Sequence, residues 1–188
     1  MRIIGGNFKG KKITLPIDKN TRPLRDLVKE SIFNLIVHSK ILNCKTQGAN
    51  ILDLFSGSGS FGLECYSRGA KKVLFIENYP KVLKILKKNI RSISGEQSCK
   101  IIEEDCFTIF EKKNLIQDKF DLIFIDPPYK EKKINFLLDK ISINKILNNN
   151  GLVIIHRHQK DDIEILNKLK ILDQRSYGIS KIIIGTII

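Results

Sequence analysis

The 188-residue sequence has no tryptophan, one methionine and only four cysteines. Cys44, Cys65, Cys99 and Cys106 form no Cys-x-x-Cys pair and are not spaced with the histidines as metal ligands would be, so they read as reduced thiols rather than as a zinc site or disulfide framework. No stretch approaches the ~20 apolar residues of a membrane span. Met1-Arg2-Ile3-Ile4-Gly5-Gly6 is too short and too glycine-rich for the apolar core of a signal peptide. A soluble cytoplasmic protein, without membrane or metal, is the expectation. Acids are scarce too: 20 stand against 33 lysines and arginines, for a net charge of +13. That excess points to a polyanionic partner. Part of it is compositional bias, since lysine outnumbers arginine 26 to 7 in a chain rich in Ile and Asn. Its distribution is uneven, however. Residues 1–50 hold ten basic against three acidic side chains, so more than half of the net charge lies in about a quarter of the chain.

What is present suits one α/β domain with a small appendage. Residues 1–15 alternate around Gly5-Gly6 and Gly10-Lys11-Lys12 and predict a short, basic, exposed hairpin or arm. Thr21 can cap a helix near Pro23, with Leu24, Leu27, Val28, Ile32, Leu35 and Ile36 on one apolar face and Arg22 and Arg25 in its first turn. After a polar linker near Thr46-Gln47-Gly48 the pattern alternates strand and helix. Strands are predicted near 50–55, 72–77, 100–104, 121–125 and 151–156, with Asn148-Asn149-Asn150-Gly151 a turn into the fifth. The helix over 79–92 turns Val82, Leu83, Ile85, Leu86, Asn89 and Ile90 inward and four lysines outward. Two last segments, 171–177 and 181–188, lack an intervening helix and predict a hairpin, hence an antiparallel edge on a parallel sheet. Residues 1–48 thus read as a basic hairpin-and-helix extension and 49–188 as the catalytic domain.

The chemistry is placed at Asp121-Leu-Ile-Phe-Ile-Asp126-Pro127-Pro128-Tyr129. Leu122 to Ile125 suit a strand buried on both faces. Pro127 and Pro128 donate no backbone hydrogen bond and stop it in a stiff corner, at the strand end where α/β proteins bind ligands. An exocyclic base amine is a poor nucleophile because its lone pair is delocalised into the ring. The Asp126 carboxylate and the Pro127 carbonyl can each accept one amine hydrogen and aim that lone pair at an electrophile, while Tyr129 offers a face on which a flipped base stacks.

Asp126-Pro127-Pro128-Tyr129 resembles motif IV of the S-adenosylmethionine-dependent amino-methyltransferases. Ser56-Gly57-Ser58-Gly59-Ser60-Phe61-Gly62 follows the first strand, and Glu77 closes the second; read literally, this is the dinucleotide fingerprint of an NAD enzyme. Asp53 argues against that reading, because a carboxylate beside the helix N-terminus repels a pyrophosphate but can pair with the ammonium of a methionyl group. By the resemblance, Gly57, Gly59 and Gly62 let the backbone approach S-adenosyl-L-methionine, Glu77 binds its ribose hydroxyls, and Asp105, with Cys106 beside it and Phe107 a flank, takes its adenine.

The N-terminal third is more specific. Arg2-Ile-Ile-Gly-Gly-x-Phe-Lys-Gly-Lys, Thr21-Arg22-Pro23 and Val28-Lys29-Glu30-Ser31-Ile32-Phe33-Asn34 are similar to the RsmD family of guanine-N2 methyltransferases of small-subunit (16S) ribosomal RNA. The resemblance runs from Met1 to about Ser180. It implies a Rossmann-like class I methyltransferase with a mostly parallel seven-stranded sheet, acting on ribosomal RNA within an assembled or assembling small subunit. Arg2, Lys9, Lys11, Lys12, Arg22 and Arg25 are the candidate RNA contacts. The family commonly carries a glutamate near where this chain has His156-Arg157-His158, and the two histidines read as surface variation. Three alternatives remain: an adenine-N6 methyltransferase of RNA or DNA, a non-catalytic RNA-binding module, and an NAD-linked oxidoreductase. The first is weakened by the lack of room for a DNA-recognition domain, the last by Asp53.

Overall fold

A computed structural model describes residues 1–17, 24–39, 41–42, 44–112, 115–161 and 168–188. Helix α1 (Asp26–His38) precedes β1 (Asn50–Leu54), α2 (Ser60–Ser67), β2 (Lys72–Ile76), α3 (Pro80–Ser92), β3 (Cys99–Ile102), β4 (Phe120–Ile125), α4 (Ile134–Ile143), β5 (Leu147–His158), β6 (Leu169–Tyr177) and β7 (Ser180–Ile187). The seven strands order as β3-β2-β1-β4-β5-β7-β6. Neighbours from β3 to β5 run parallel, and β7 enters antiparallel between β5 and the edge strand β6. The reversal of order between β1 and β4 opens a crevice at their carboxyl ends, where such sheets bind ligands.

Strand β4 shows why the apolar run contains no polar alternation. Leu122 and Phe124 enter one core with α1, α2 and α3, while Ile123 and Ile125 enter the other with α4. Both faces of the strand are therefore buried. Phe61 of α2 stacks on Phe124 with ring centroids 4.0 Å apart, clamping the first helical turn after the glycine loop onto β4.

The N-terminal residues do not stand away from the sheet. Ile3 and Ile13 are buried in the same core as α1 and β1, correcting the expectation of a wholly exposed arm. Around them the chain forms the expected small hairpin: the Ile3 N–H donates to the Lys11 carbonyl at 2.9 Å, and that of Ile13 donates to Met1 at 3.0 Å.

Helix α1 begins at Asp26, whose charge complements the helix dipole; Thr21, Arg22 and Pro23 lie outside the described residues. Its inner stripe is Val28, Lys29, Ile32, Phe33 and Ile36. Leu27 is exposed and Leu35 half-buried, because Lys29 and Phe33 take the flank expected of them. Asn148-Asn149-Asn150 also differs from expectation. It belongs to β5 as an irregularity: register moves from Phe120–Leu147 to Leu122–Leu152, so the extra residues bulge within the strand instead of preceding it.

Candidate active site

A cleft of about 470 Å³ opens at the carboxyl ends of β1, β2 and β4. Its lining includes Asp53, Gly57, Glu77, Asp126, Pro127, Pro128 and Tyr129, together with Phe55, Phe61 and Phe124. No lysine or arginine among the described residues lines it; Lys19 and Arg22 lie outside them.

The glycine loop is held from several sides. Gly59, at the N-cap of α2, has φ +81°, which a side chain would strain, and a Cβ on Gly62 would stand 2.4 Å from the Phe75 ring. The loop is therefore small at Gly62 because the helix must pack against β2. Asp53 accepts from the Gly62 N–H at 2.9 Å, and Glu77 accepts from the Gly57 N–H at 2.8 Å and from Tyr79 at 2.9 Å. Asn89, predicted inward, donates to the Ser58 carbonyl at 2.9 Å and also exchanges hydrogen bonds with the Thr14 backbone. Phe55, at the end of β1, has φ +58°, an uncommon conformation for a bulky residue, at the cleft wall.

Asp53 is buried, and burial pushes its carboxyl well above the usual carboxylate range; the Gly62 N–H opposes the shift, while Asp126 and Glu77 add to it. Three carboxylates thus face one cleft, and no lysine or arginine among the described residues lines it. The site disfavours another anion and favours a cation.

Asp105 and Cys106 do not line the cleft. Asp105 caps its own loop through Phe107 N–H at 2.8 Å and receives Asn78 at 3.2 Å. Cys106 is buried behind Phe55, whose N–H points to its sulfur at 3.3 Å, and burial raises its thiol. Phe107 meets Phe55 edge-on at 5.6 Å.

Of the basic residues, Arg2, Lys9, Lys11, Lys12 and Arg25 are exposed. The Arg2 carbonyl accepts from Lys29 Nζ, which also reaches the cleft-lining Ser60 hydroxyl at 3.3 Å, and Arg25 follows the cleft-lining Leu24. Lys9 and its neighbours lie farther off: Phe8 stacks on Tyr66, and its N–H bonds Ser67, at the other end of α2. Arg2 and Arg25 are therefore near the mouth, and the hairpin tip extends the cationic surface away from it.

This geometry has known counterparts. The family model described as "Conserved hypothetical protein 95" matches residues 1–186. Ribosomal RNA small subunit methyltransferase D of Haemophilus influenzae is 31% identical over 184 residues, covering 95% of this chain and 90% of that protein. The protein of the same name from Buchnera aphidicola subsp. Baizongia pistaciae is 32% identical over 169 residues, covering 90% and 79%. The chain belongs to the family of ribosomal RNA small subunit methyltransferase D. In fold it also matches the solved Escherichia coli chain yhhF, with a TM-score of 0.81 at 22% identity over 100% of this chain and 97% of that one.

Within this family fold, the end of β5 departs most from its sequence reading. His156 and Arg157 are 3% and 2% exposed, so they are not surface variation. Arg157 donates to the carbonyls of Pro128 (3.2 Å), Tyr129 (3.0 Å) and Glu131 (2.7 Å), and its Nε pairs with Asp161. His158 stands edge-on to the Tyr129 ring at 4.9 Å. The signal available in the sequence was position: these residues end the strand next to β4, so their side chains fall beside the Asp-Pro-Pro-Tyr corner. No donor among the described residues takes the Pro127 carbonyl, which stays free to accept.

Proposed function

We propose that the protein transfers a methyl group from S-adenosylmethionine to the N2 amine of a guanine in small-subunit ribosomal RNA, in an assembled or assembling subunit. Residues 49–188 carry the chemistry and residues 1–48 much of the RNA contact. The observation that carries the reading is the cleft itself: three carboxylates and aromatic walls, with no lysine or arginine among the described residues that line it. That charge suits a sulfonium and an ammonium and opposes the pyrophosphate of a dinucleotide.

When bound, the cofactor supplies an electrophilic methyl group. The chain's own residues orient the nucleophile. Asp126 and the Pro127 carbonyl take the two amine hydrogens, so the nitrogen pyramidalises with its lone pair on the methyl carbon. Held in this way, the nitrogen would accept the methyl group from the sulfonium and lose one proton to solvent, leaving the cofactor as its neutral thioether. Rate comes chiefly from positioning. Tyr129 provides the stacking face for the flipped base, a contact of roughly 1–3 kcal/mol. Glu77 and Asp53 support the ribose and methionyl ends, and Asp105 and Cys106 shape the floor behind the adenine side.

The test is mass mapping of modified nucleosides in small-subunit ribosomal RNA from cells with and without the gene. Loss of one N2-methylguanosine is expected. Loss of an N6-methyladenosine instead would assign the adenine alternative, and an unchanged profile would contradict both.

A further inference from the structure

To accept from an amine, the Asp126 carboxylate must be held in one orientation. The χ2 rotation of an aspartate is broad, so a free carboxylate would present neither oxygen consistently to an amine. The corner's backbone is held by Arg157, but none of its bonds touches the carboxylate. That contact is made by His156, whose Nδ1 lies 2.8 Å from Asp126 Oδ1 and whose Nε2 lies 2.9 Å from the Ser180 hydroxyl on β7. His156 and Ser180 are buried, at 3% and 1% exposure, whereas Asp126 reaches the cleft.

We propose that His156 is a positioning residue: by donating Nδ1–H to Oδ1 it fixes the carboxylate plane, so that Oδ2 of Asp126 faces the amine to be methylated. This rests on the reading of Asp126 as the amine-orienting group. The partners assign the tautomer. An ionised carboxylate only accepts, so the proton sits on Nδ1, and Nε2 is left to accept from the Ser180 O–H. Ser180 in turn sits opposite His158 in the β5–β7 register, so the antiparallel strand anchors the array from behind. With Oδ1 engaged and no other described side chain bonded to Asp126, Oδ2 is the free acceptor.

The two ring nitrogens can be tested separately, because the asparagine amide nitrogen falls near the place of Nδ1 and the glutamine amide near that of Nε2. His156→Asn, His156→Gln and Ser180→Ala would be compared with the wild type, using radiolabelled S-adenosylmethionine and small ribosomal subunits lacking the methyl group. His156→Gln is expected to lower kcat on the order of 10²-fold, with KM for the cofactor and Tm nearly unchanged, and His156→Asn to recover most of that loss. Ser180→Ala is expected to fall between them. Equal kcat for the Asn and Gln variants, whether high or low, would overturn the proposal, as would a loss that appears only in Tm or KM. A wild-type protein that transfers no methyl group at all would refute the functional reading and this inference with it.

Discussion

Lys29 and Glu64 face each other at 3.6 Å with neither side chain exposed to solvent. Burial lowers the lysine's pKa, while Glu64 and then Asp26 oppose the shift. The pair joins α1 to α2, and Glu64 also accepts from the Ile4 N–H and from Arg68 Nε, each at 2.8 Å. The N-terminal segment is therefore bolted to the helix that carries the glycine loop.

The consequence for stability is asymmetric. Glu64→Ala removes one of the two counter-charges of a buried ammonium, which keeps Asp26 at 3.5 Å, and also the acceptor of the Ile4 N–H and of Arg68 Nε, and is expected to cost about 3 kcal/mol. Lys29→Met leaves Glu64 still held by Arg68 and Ile4 and is expected to cost distinctly less. Denaturant melts of the two variants decide this; equal losses would mean that the ion pair is not what secures the segment.

Asp53 links stability to pH. Its folded pKa is raised, so its contribution is fully present below about pH 4, the ordinary value, and is lost as pH rises through the folded value. Asp53→Asn keeps the shape and an acceptor for Gly62 without the charge. The variant is expected to melt higher than the wild type at neutral pH, with the gap closing toward pH 4, and to bind S-adenosylmethionine more weakly. A lower Tm at neutral pH would contradict the burial argument.

Arg157 makes three bonds to loop carbonyls that a lysine cannot span together, because the guanidinium fork is planar and fixed. Arg157→Lys should loosen residues 127–131. Limited proteolysis is expected to cut there sooner and kcat to fall, while cofactor affinity holds. Unchanged protection would show that the two prolines suffice to shape the corner.

The exposed basic residues are expected to read phosphates rather than bases. With about four phosphates neutralised on a largely single-stranded target, log affinity should fall against log salt with a slope near −3. Replacing Lys9, Lys11, Lys12 and Arg25 with alanine should flatten that slope and leave cofactor affinity intact. An unchanged slope would place recognition elsewhere, beside Lys130, Lys132 and Lys133.

The sheet was legible because its central strands are buried on both faces and so carry unbroken apolar runs, and because Pro127-Pro128 marks where β4 must end. Helix α3 was legible through a 3.6-residue stripe, down to its inward Asn89, although Ile85, also expected inward, is only half-buried. Side chains whose burial depends on a distant partner were not. Lys29 looks like a surface lysine until Glu64 is found 35 residues away. His156-Arg157-His158 looks like a charged strand end until β7 covers one side and the catalytic corner the other. Asn148 to Asn150 carries turn chemistry that pairing with β4 draws into a bulged strand.

The carboxylate after β4 is expected to orient an amine for methyl transfer and not to hold the cofactor. The most direct measurement pairs single-turnover methyl transfer with calorimetry of S-adenosylmethionine for Asp126→Ala. Transfer should fall below detection while the cofactor Kd stays close to that of the wild type; near-normal transfer, or a Kd weakened in step with the lost rate, would contradict the account.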